Sequence, residues 1–346
     1  MKKLFLFLFL FILLSNTAKA QSEQNLSSIL PLLQAKTRTT AQNVQVLSLF
    51  DAAKDANTIF AAGASLVRIT PPKAYEAKLL NIIIKDDNML KKVFSAVILT
   101  AMGTEHQELS SLLQDATFSQ DRALRSYAAA AYTILNPQKD IYKEEIINLY
   151  IYDPAFATRA MNLISKDEKQ TFKYLKETSR SDVAQVRAAT ASWLGQLQTE
   201  KAAKQLLKMA KNELDPQAAN ALAVALSQNK TWTLDECAKA LKTRYTAQQS
   251  STYALALGFM TGHAIDTIKK GLLNPDVNIR INSARAAAYM AAVLSSPQAN
   301  QYTQDKEFDI TLLKSLIPAL SAMVKRDQSN VKVYADNALK QMAKLI

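Results

Sequence analysis

Turn-forming and reactive residues are scarce in this chain. Its 346 residues include only 6 Gly, 9 Pro, 2 His and 1 Cys. So few glycines and prolines, together with abundant alanine, favour helices over a turn-rich β fold. The single cysteine, Cys237, excludes an intramolecular disulfide. Because Leu234 and Leu241 share its helix face, we predict a buried structural thiol rather than a reactive one.

The motifs of common enzyme classes are absent from the sequence. The two histidines, His106 and His263, are far apart, and there is no His-x-x-x-His, Cys-x-x-Cys or glycine-rich phosphate loop. The chain also lacks Gly-x-Ser-x-Gly, the turn that exposes the serine of many hydrolases. A triad built from distant residues stays open, because its members need not be adjacent in sequence. We assign no catalytic, cofactor-binding or metal-binding residue and expect no enzyme.

Residues 1–20 have the three parts of a secretory signal peptide. Two lysines form a positive start, residues 4–14 are an apolar run, and Ala18-Lys-Ala20 matches a small-x-small cleavage site. The run is too short to span a membrane, and no later run approaches the necessary length. We expect an exported mature chain from about Gln21, without a transmembrane segment. A bacterial periplasm is the favoured location, and secretion is the alternative.

One helical pattern recurs about every 31 residues along the rest of the chain. Its clearest copy, Asp182–Leu197, opens on an aspartate suited to capping a helix and continues with a 3.6-residue apolar period. Arg187 marks the register, and the marker residues of the other copies are Lys91, Arg125, Ala157, Ala219, Ser250, Arg280 and Lys332. The position seven residues after each marker is mostly apolar, as a core-facing helix requires, and holds Ile98, Tyr132, Ile164, Leu194, Leu226, Leu257, Ala287 and Leu339.

This pattern resembles the short variety of HEAT repeat, with about thirty residues per repeat. The resemblance rests on Asp182-x-x-x-Val-Arg-x-x-x-Ala, Asp276-Val-Asn-Ile-Arg-x-x-x-Ala and Asp121-x-x-Leu-Arg, and it covers about residues 39–346. It implies an all-α fold, a right-handed α-solenoid of about nine helical hairpins. It also implies an interaction scaffold, since families of this kind mostly bind other proteins.

The predicted solenoid is a single domain over residues 21–346. Its period lapses at about residues 295–309, where a polar stretch predicts an inserted loop. In two marker helices an aspartate lies four residues before the arginine, as in Asp121/Arg125 and Asp276/Arg280. We expect these pairs to interact along one helix, and stacking to bring each arginine near the next repeat's aspartate.

Lysines recur with the period of the marker residues. The lysine strip consists of Lys176, Lys208, Lys239 and Lys269, at intervals of 32, 31 and 30 residues. Those are the intervals of the marker residues, so the four lysines should project as one row. Two further lysines lie one helical turn before the first two, Lys173 and Lys204.

The charge of the chain makes this row a candidate site. Without three lysines of residues 1–20, the net charge of +12 becomes +9 (12 minus 3). A row of lysines raises the local positive potential and suits an acidic surface. A solvated helix face without a ligand is the competing interpretation.

Tyrosines form the second candidate surface. Tyr150 and Tyr152 lie in a tyrosine-rich segment one repeat after Tyr127 and Tyr132. Tyrosine suits an interface because its ring is apolar and its hydroxyl can form a hydrogen bond. Burial between neighbouring hairpins is the alternative.

The favoured function is a scaffold for protein–protein interaction in an envelope assembly. The alternative is a module that binds anionic envelope polymers through the lysine strip. Nucleic acid ranks below both, because export removes the usual target of a basic chain. A hydrolase with an unrecognised site ranks last. We expect no cofactor and no metal.

Overall fold

The computed structural model describes residues 30–35, 37–104, 106–137, 140–242 and 247–345. These residues form nineteen α-helices and no β-strand. The all-α class predicted from the sequence is confirmed. No helix in these ranges combines the length and the apolar character needed to cross a membrane. The predicted signal peptide lies outside the described residues.

The chain divides into two compact units, and the division falls between Tyr174 and Leu175. The helices up to this point, α1 to α9, are Thr40–Ala52, Ala56–Arg68, Glu76–Lys85, Met89–Met102, Gln107–Ala116, Arg122–Leu135, Lys143–Leu149, Pro154–Ile164 and Glu168–Thr178, the last of which spans the division. The helices that follow, α10 to α19, are Ala184–Leu197, Glu200–Ala210, Pro216–Gln228, Lys230–Ala240, Ala247–Phe259, Ile265–Leu272, Val277–Ser295, Lys306–Lys314, Ile317–Arg326 and Ser329–Met342.

Aspartate side chains cap several of these helices. Asp121, Asp215 and Asp276 each accept hydrogen bonds from the backbone N–H groups two and three residues later. Each cap satisfies donors that have no partner within the helix. Asp182 is the exception to the expected pattern, because Val183 is the N-cap of α10 and the helix has no side-chain cap.

In the second unit the helices that carry the marker residues form a continuous inner layer. Helix α10 packs on α12, α12 on α14, α14 on α16, and α16 on α19. The intervening helices α11, α13 and α15 each pack against the marker helix that follows them. The predicted core column is buried at Leu194, Leu226 and Leu257. Leu339, in the last helix, is partly exposed.

Two glycines allow the inner helices of the second unit to pack closely. A Cβ on Gly258 of α14 would lie 2.6 Å from the Cβ of Tyr289 and 3.0 Å from the backbone nitrogen of Met290 in α16. A Cβ on Gly195 of α10 would lie 2.9 Å from the Cβ of Ala225 in α12. Both glycines lie eight residues after a marker residue. A small side chain at this position therefore lets one repeat contact the next.

Aromatic rings fill the core of the first unit. They lie on α2, α4, α6 and α8, and these helices pack in sequence, α2 on α4, α4 on α6 and α6 on α8. The ring centroids of Phe60 and Phe94 are 5.1 Å apart, those of Phe94 and Tyr127 5.5 Å, and those of Tyr127 and Phe156 6.4 Å. Offset and edge contacts of this kind add to the stabilisation from burial.

The predicted loop at 295–309 is shorter in the structure. Helix α16 ends at Ser295 and α17 begins at Lys306, so residues 306–309 are helical. Asp305 starts α17 by accepting a hydrogen bond from the backbone N–H of Phe308 at 3.0 Å. Within the second unit, the connection between the two helices packs against the end of α14 through Tyr302, whose ring centroid is 4.8 Å from that of Phe259.

Candidate binding surfaces

The marker arginines have structural partners. Arg187 Nε and Nη2 donate to the two carboxylate oxygens of Glu213 at 2.7 and 2.8 Å, and its Nη1 donates to the carbonyl of Ser181 at 2.8 Å. These hydrogen bonds and the charge of Glu213 raise the pKa of Arg187. Arg280 repeats the arrangement, with Asp327 as the carboxylate at 2.7 and 3.0 Å and the carbonyl of Asn274 at 2.9 Å.

The predicted pairing within one helix is therefore wrong. Asp121 and Asp276 cap their helices, and the arginines reach acidic residues further along the chain. For Arg280, the prediction that an aspartate of the next repeat comes into contact is correct, because Arg280 pairs with Asp327. For Arg187 the partner is Glu213 rather than the capping Asp215.

All six lysines named from the sequence are exposed. They lie on four helices, with Lys173 and Lys176 on α9, Lys204 and Lys208 on α11, Lys239 on α13 and Lys269 on α15. The four members of the lysine strip belong to the second unit, whereas Lys173 belongs to the first.

Two of the six lysines have acidic partners on the same helix. The Nζ atom of Lys204 is 2.7 Å from an oxygen of Glu200, and that of Lys239 is 2.6 Å from an oxygen of Glu236. The hydrogen bond and charge of Glu236 raise the pKa of Lys239. Such exposed pairs contribute little to stability and leave the cation accessible to other anions.

Position at a helix end explains part of the lysine strip. All four members occupy the last turn of a helix, where a cation interacts favourably with the helix dipole. Interaction with the helix dipole requires only one cation per helix. It does not explain four further exposed cations that lie one to four residues after the members of the lysine strip, and these are Arg180, Lys211, Lys242 and Lys270.

The two tyrosines named as candidates differ in exposure. The Tyr152 side chain is 7% exposed, so burial, the alternative interpretation, applies to it. Tyr150 is half-buried, and burial raises the pKa of its hydroxyl to about 12. Of the two, only Tyr150 offers part of its ring to a partner.

Sequence reasoning missed three exposed apolar side chains, Ile84, Phe118 and Leu273, that share a repeat position with Tyr150. Ile84 and Phe118 are 67% and 76% exposed, and each lies seven residues before a marker residue, Lys91 or Arg125. Tyr150 occupies the same position before Ala157. We call Ile84, Phe118 and Tyr150 the apolar row. All three lie at or just after the C-terminal end of the second helix of a hairpin, α3, α5 or α7.

The described residues hold no group of three or more His, Cys, Asp or Glu side chains suited to a metal ion. Cys237 is fully buried, as predicted, and burial raises the pKa of its thiol. His263 Nδ1 is 3.4 Å from the Nζ atom of Lys230, and His106 Nδ1 is 4.0 Å from a carboxylate oxygen of Glu108.

No protein-family model matches the chain, and no curated protein is similar to it.

Proposed function

We propose that this protein is an exported helical-repeat scaffold that binds a protein partner in an assembly of the cell envelope. In this proposal its hairpins stack as a right-handed α-solenoid of about nine HEAT-like repeats. The sequential packing of the inner helices and the shared register of the marker residues support the stacking. The proposed role involves no catalysis and no cofactor.

The observation that carries the binding role is the apolar row. A single exposed apolar residue is ordinary on a protein surface. Ile84 and Phe118, however, are large, mostly exposed, and located at the same position of successive repeats. Aromatic and aliphatic anchors of this kind, desolvated at the centre of an interface, account for most of the affinity of protein complexes. A partner segment that contacts several repeats would cover them together.

Photo-crosslinking in the native cell tests this proposal. A photoreactive amino acid replaces Phe118, and the matched control carries it at Asn212, an exposed polar residue seven before the marker Ala219. We expect one defined protein to crosslink at Phe118 but not at Asn212. The yield should fall at least tenfold when Ile84→Ser is added. Identical crosslinked products at both sites would contradict the proposal, and so would a yield that Ile84→Ser leaves unchanged.

A further inference from the structure

We infer that the second unit carries a binding site for an extended chain of phosphate groups along the lysine strip. This goes beyond the proposed scaffold function, because it requires no residue of the apolar row. The ligand class is an anionic polymer whose charges recur along a flexible backbone, and the lysine side chains would contact those charges one after another.

The first argument is the density of positive charge. The four segments 176–180, 208–211, 239–242 and 269–270 contain eight lysines or arginines and a single acidic residue, Glu177. All eight cations are exposed. Glu236, which pairs with Lys239 just outside these segments, offsets part of this charge, but cations still predominate, and such an excess raises the local concentration of a polyanion. The need for one cation at each helix C-terminus does not account for the second cation in every segment.

The second argument is the spacing of the cations. Lys208 and Lys239 occupy the last turns of α11 and α13, and these two helices pack against each other. Packed helices lie about 8–10 Å apart, so the helix ends that carry these two cations lie at roughly that interval. A single small anion contacts only one such position. A chain that crosses the helices can contact one cation group after another, and each added contact strengthens binding.

The third argument is the kind of cation, which favours a polymer over a folded acidic protein. Seven of the eight are lysines, one is Arg180, and the four segments contain no aromatic residue. Protein interfaces are enriched in arginine and aromatic residues and depleted of lysine. The lysine ammonium group is a flexible point charge that binds phosphate oxygens without a fixed geometry. That property suits a chain whose phosphates change their register along the site.

The test uses the purified mature chain with long-chain polyphosphate as the probe. The strip variant replaces Lys176, Lys208, Lys239 and Lys269 by Gln. The matched control replaces four exposed lysines elsewhere and loses the same charge, and these are Lys54, Lys73, Lys85 and Lys340. We expect at least a tenfold loss of affinity in the strip variant and less than a threefold loss in the control. Equal losses in the two variants would overturn the inference, since they would indicate a response to net charge alone.

Salt dependence and probe length sharpen the test. Each phosphate neutralised on a single-stranded polyanion contributes about −0.7 to the slope of log K against log salt, so four contacts contribute about −3. The strip variant should lose that part of the slope. Tripolyphosphate should bind at least tenfold more weakly than the long chain, and equal affinities would exclude an extended site. Polyglutamate is the third probe, and an affinity equal to that of polyphosphate would overturn the assignment to phosphate.

Two further measurements separate this inference from the proposed function. Circular dichroism should show one cooperative melting transition for the strip variant and the control, as for the wild type, because all eight substituted side chains are exposed. The strip variant should melt slightly lower, since its four lysines lie in last turns of helices. Ile84→Ser, which should lower the protein crosslink at position 118, should leave polyphosphate binding unchanged. Loss of polyphosphate binding in Ile84→Ser would contradict a site that lies on the second unit alone.

Discussion

At the scale of single residues, Arg280 illustrates how one side chain connects two segments distant in sequence. Its guanidinium group binds both carboxylate oxygens of Asp327 and the carbonyls of Asn274 and Pro275. The two charged side chains are only 9% and 8% exposed. Removing one partner of such a pair leaves the other charge buried and unpaired, which costs more than the intact pair contributes.

Asp327→Asn should lower stability at neutral pH and have little effect in acid. Burial alone would raise the pKa of Asp327, but the hydrogen bonds and charge of Arg280 lower it below the ordinary 3.8. A lowered pKa contributes stability above pH 3.8, and that contribution disappears as the pH falls through the folded-state pKa. We expect a loss of about 3 kcal/mol at pH 7, measured by urea unfolding.

The difference between the wild type and Asp327→Asn should shrink as the pH falls below 3.8 and the carboxyl group becomes protonated. Asp266→Asn is the control, because Asp266 is exposed at the start of α15. It should change stability by less than about 0.5 kcal/mol at either pH. A difference between the wild type and Asp327→Asn that stayed constant from pH 7 to pH 2.5 would argue against the ion pair as the cause.

Leu194→Ala and Lys208→Ala should differ sharply in their effect on stability. Leu194 is fully buried in the core column, so its truncation leaves a cavity and should cost about 2–5 kcal/mol. Lys208 is exposed on α11, and its truncation should cost less than about 0.5 kcal/mol. Denaturant unfolding of the two variants measures both values. Similar losses would mean that the repeat register is misplaced.

At the scale of helices, the C-terminal end of α10 contains a conformation that favours glycine. Its C-cap Gln198 has φ 47° and ψ 42°, the left-handed region where a Cβ is disfavoured. Many helices end in glycine for this reason. The chain instead has an exposed glutamine at this position.

Gln198→Gly should therefore stabilise the protein by about 0.5–1 kcal/mol, since it removes the strain of the left-handed conformation. Gln196→Gly, two residues earlier and still inside α10, is the matched control. It should destabilise by about the same amount because glycine disfavours the interior of a helix. Thermal unfolding of the two variants should shift the melting temperature in opposite directions, and a shift of the same sign would contradict the assigned helix end.

Helix boundaries were predictable where the signal is local and less so where periodicity continues across a break. The sequence alone predicted a cap at Asp182, where the structure has none, whereas Asp121, Asp215 and Asp276 do cap their helices, and a cap depends only on residues within one turn. Residues 310–324 have one apolar period, which by itself favours a single helix, yet α17 ends at Lys314 and α18 begins at Ile317. The apolar period nevertheless continues across this break, because apolar side chains on both sides of it are buried, among them Leu313, Leu316, Leu320 and Met323.

At the scale of the whole molecule, the sequence predicted that the lysines of the strip are exposed, but not that Ile84 and Phe118 are. Exposed lysine on a helix follows from the polarity of the side chain alone. Ile84 and Phe118 have side chains that are usually buried. Their exposure depends on how the helix ends pack, which a single repeat does not determine. The ion pair between Arg187 and Glu213 depends in the same way on contacts between repeats.

Different surfaces at equivalent positions suit a protein that binds more than one ligand. Seven residues before the marker, the first unit has Ile84 and Phe118, and the second has Arg180, Asn212 and Leu273, whose side chain is 60% exposed. Repeat proteins tolerate such divergence because each repeat needs to match only its neighbours in the core. In the two proposals, the protein partner contacts the apolar row in the first unit, and the polyanion contacts the lysine strip in the second.

Export is the property on which the choice of ligands depends, and it has a direct test. If residues 1–20 are a signal peptide, the native protein should begin at or near Gln21 and fractionate outside the cytoplasm. Mass spectrometry of the purified native protein measures its N-terminus. Ala20→Phe should block cleavage, because the cleavage site requires small residues, and a longer precursor should accumulate at the membrane. Ser22→Phe, beyond the site, is the control and should be processed normally. An intact Met1 on wild-type protein in the cytosol would remove the basis for an envelope partner and make cytoplasmic nucleic acid the polyanion to test first.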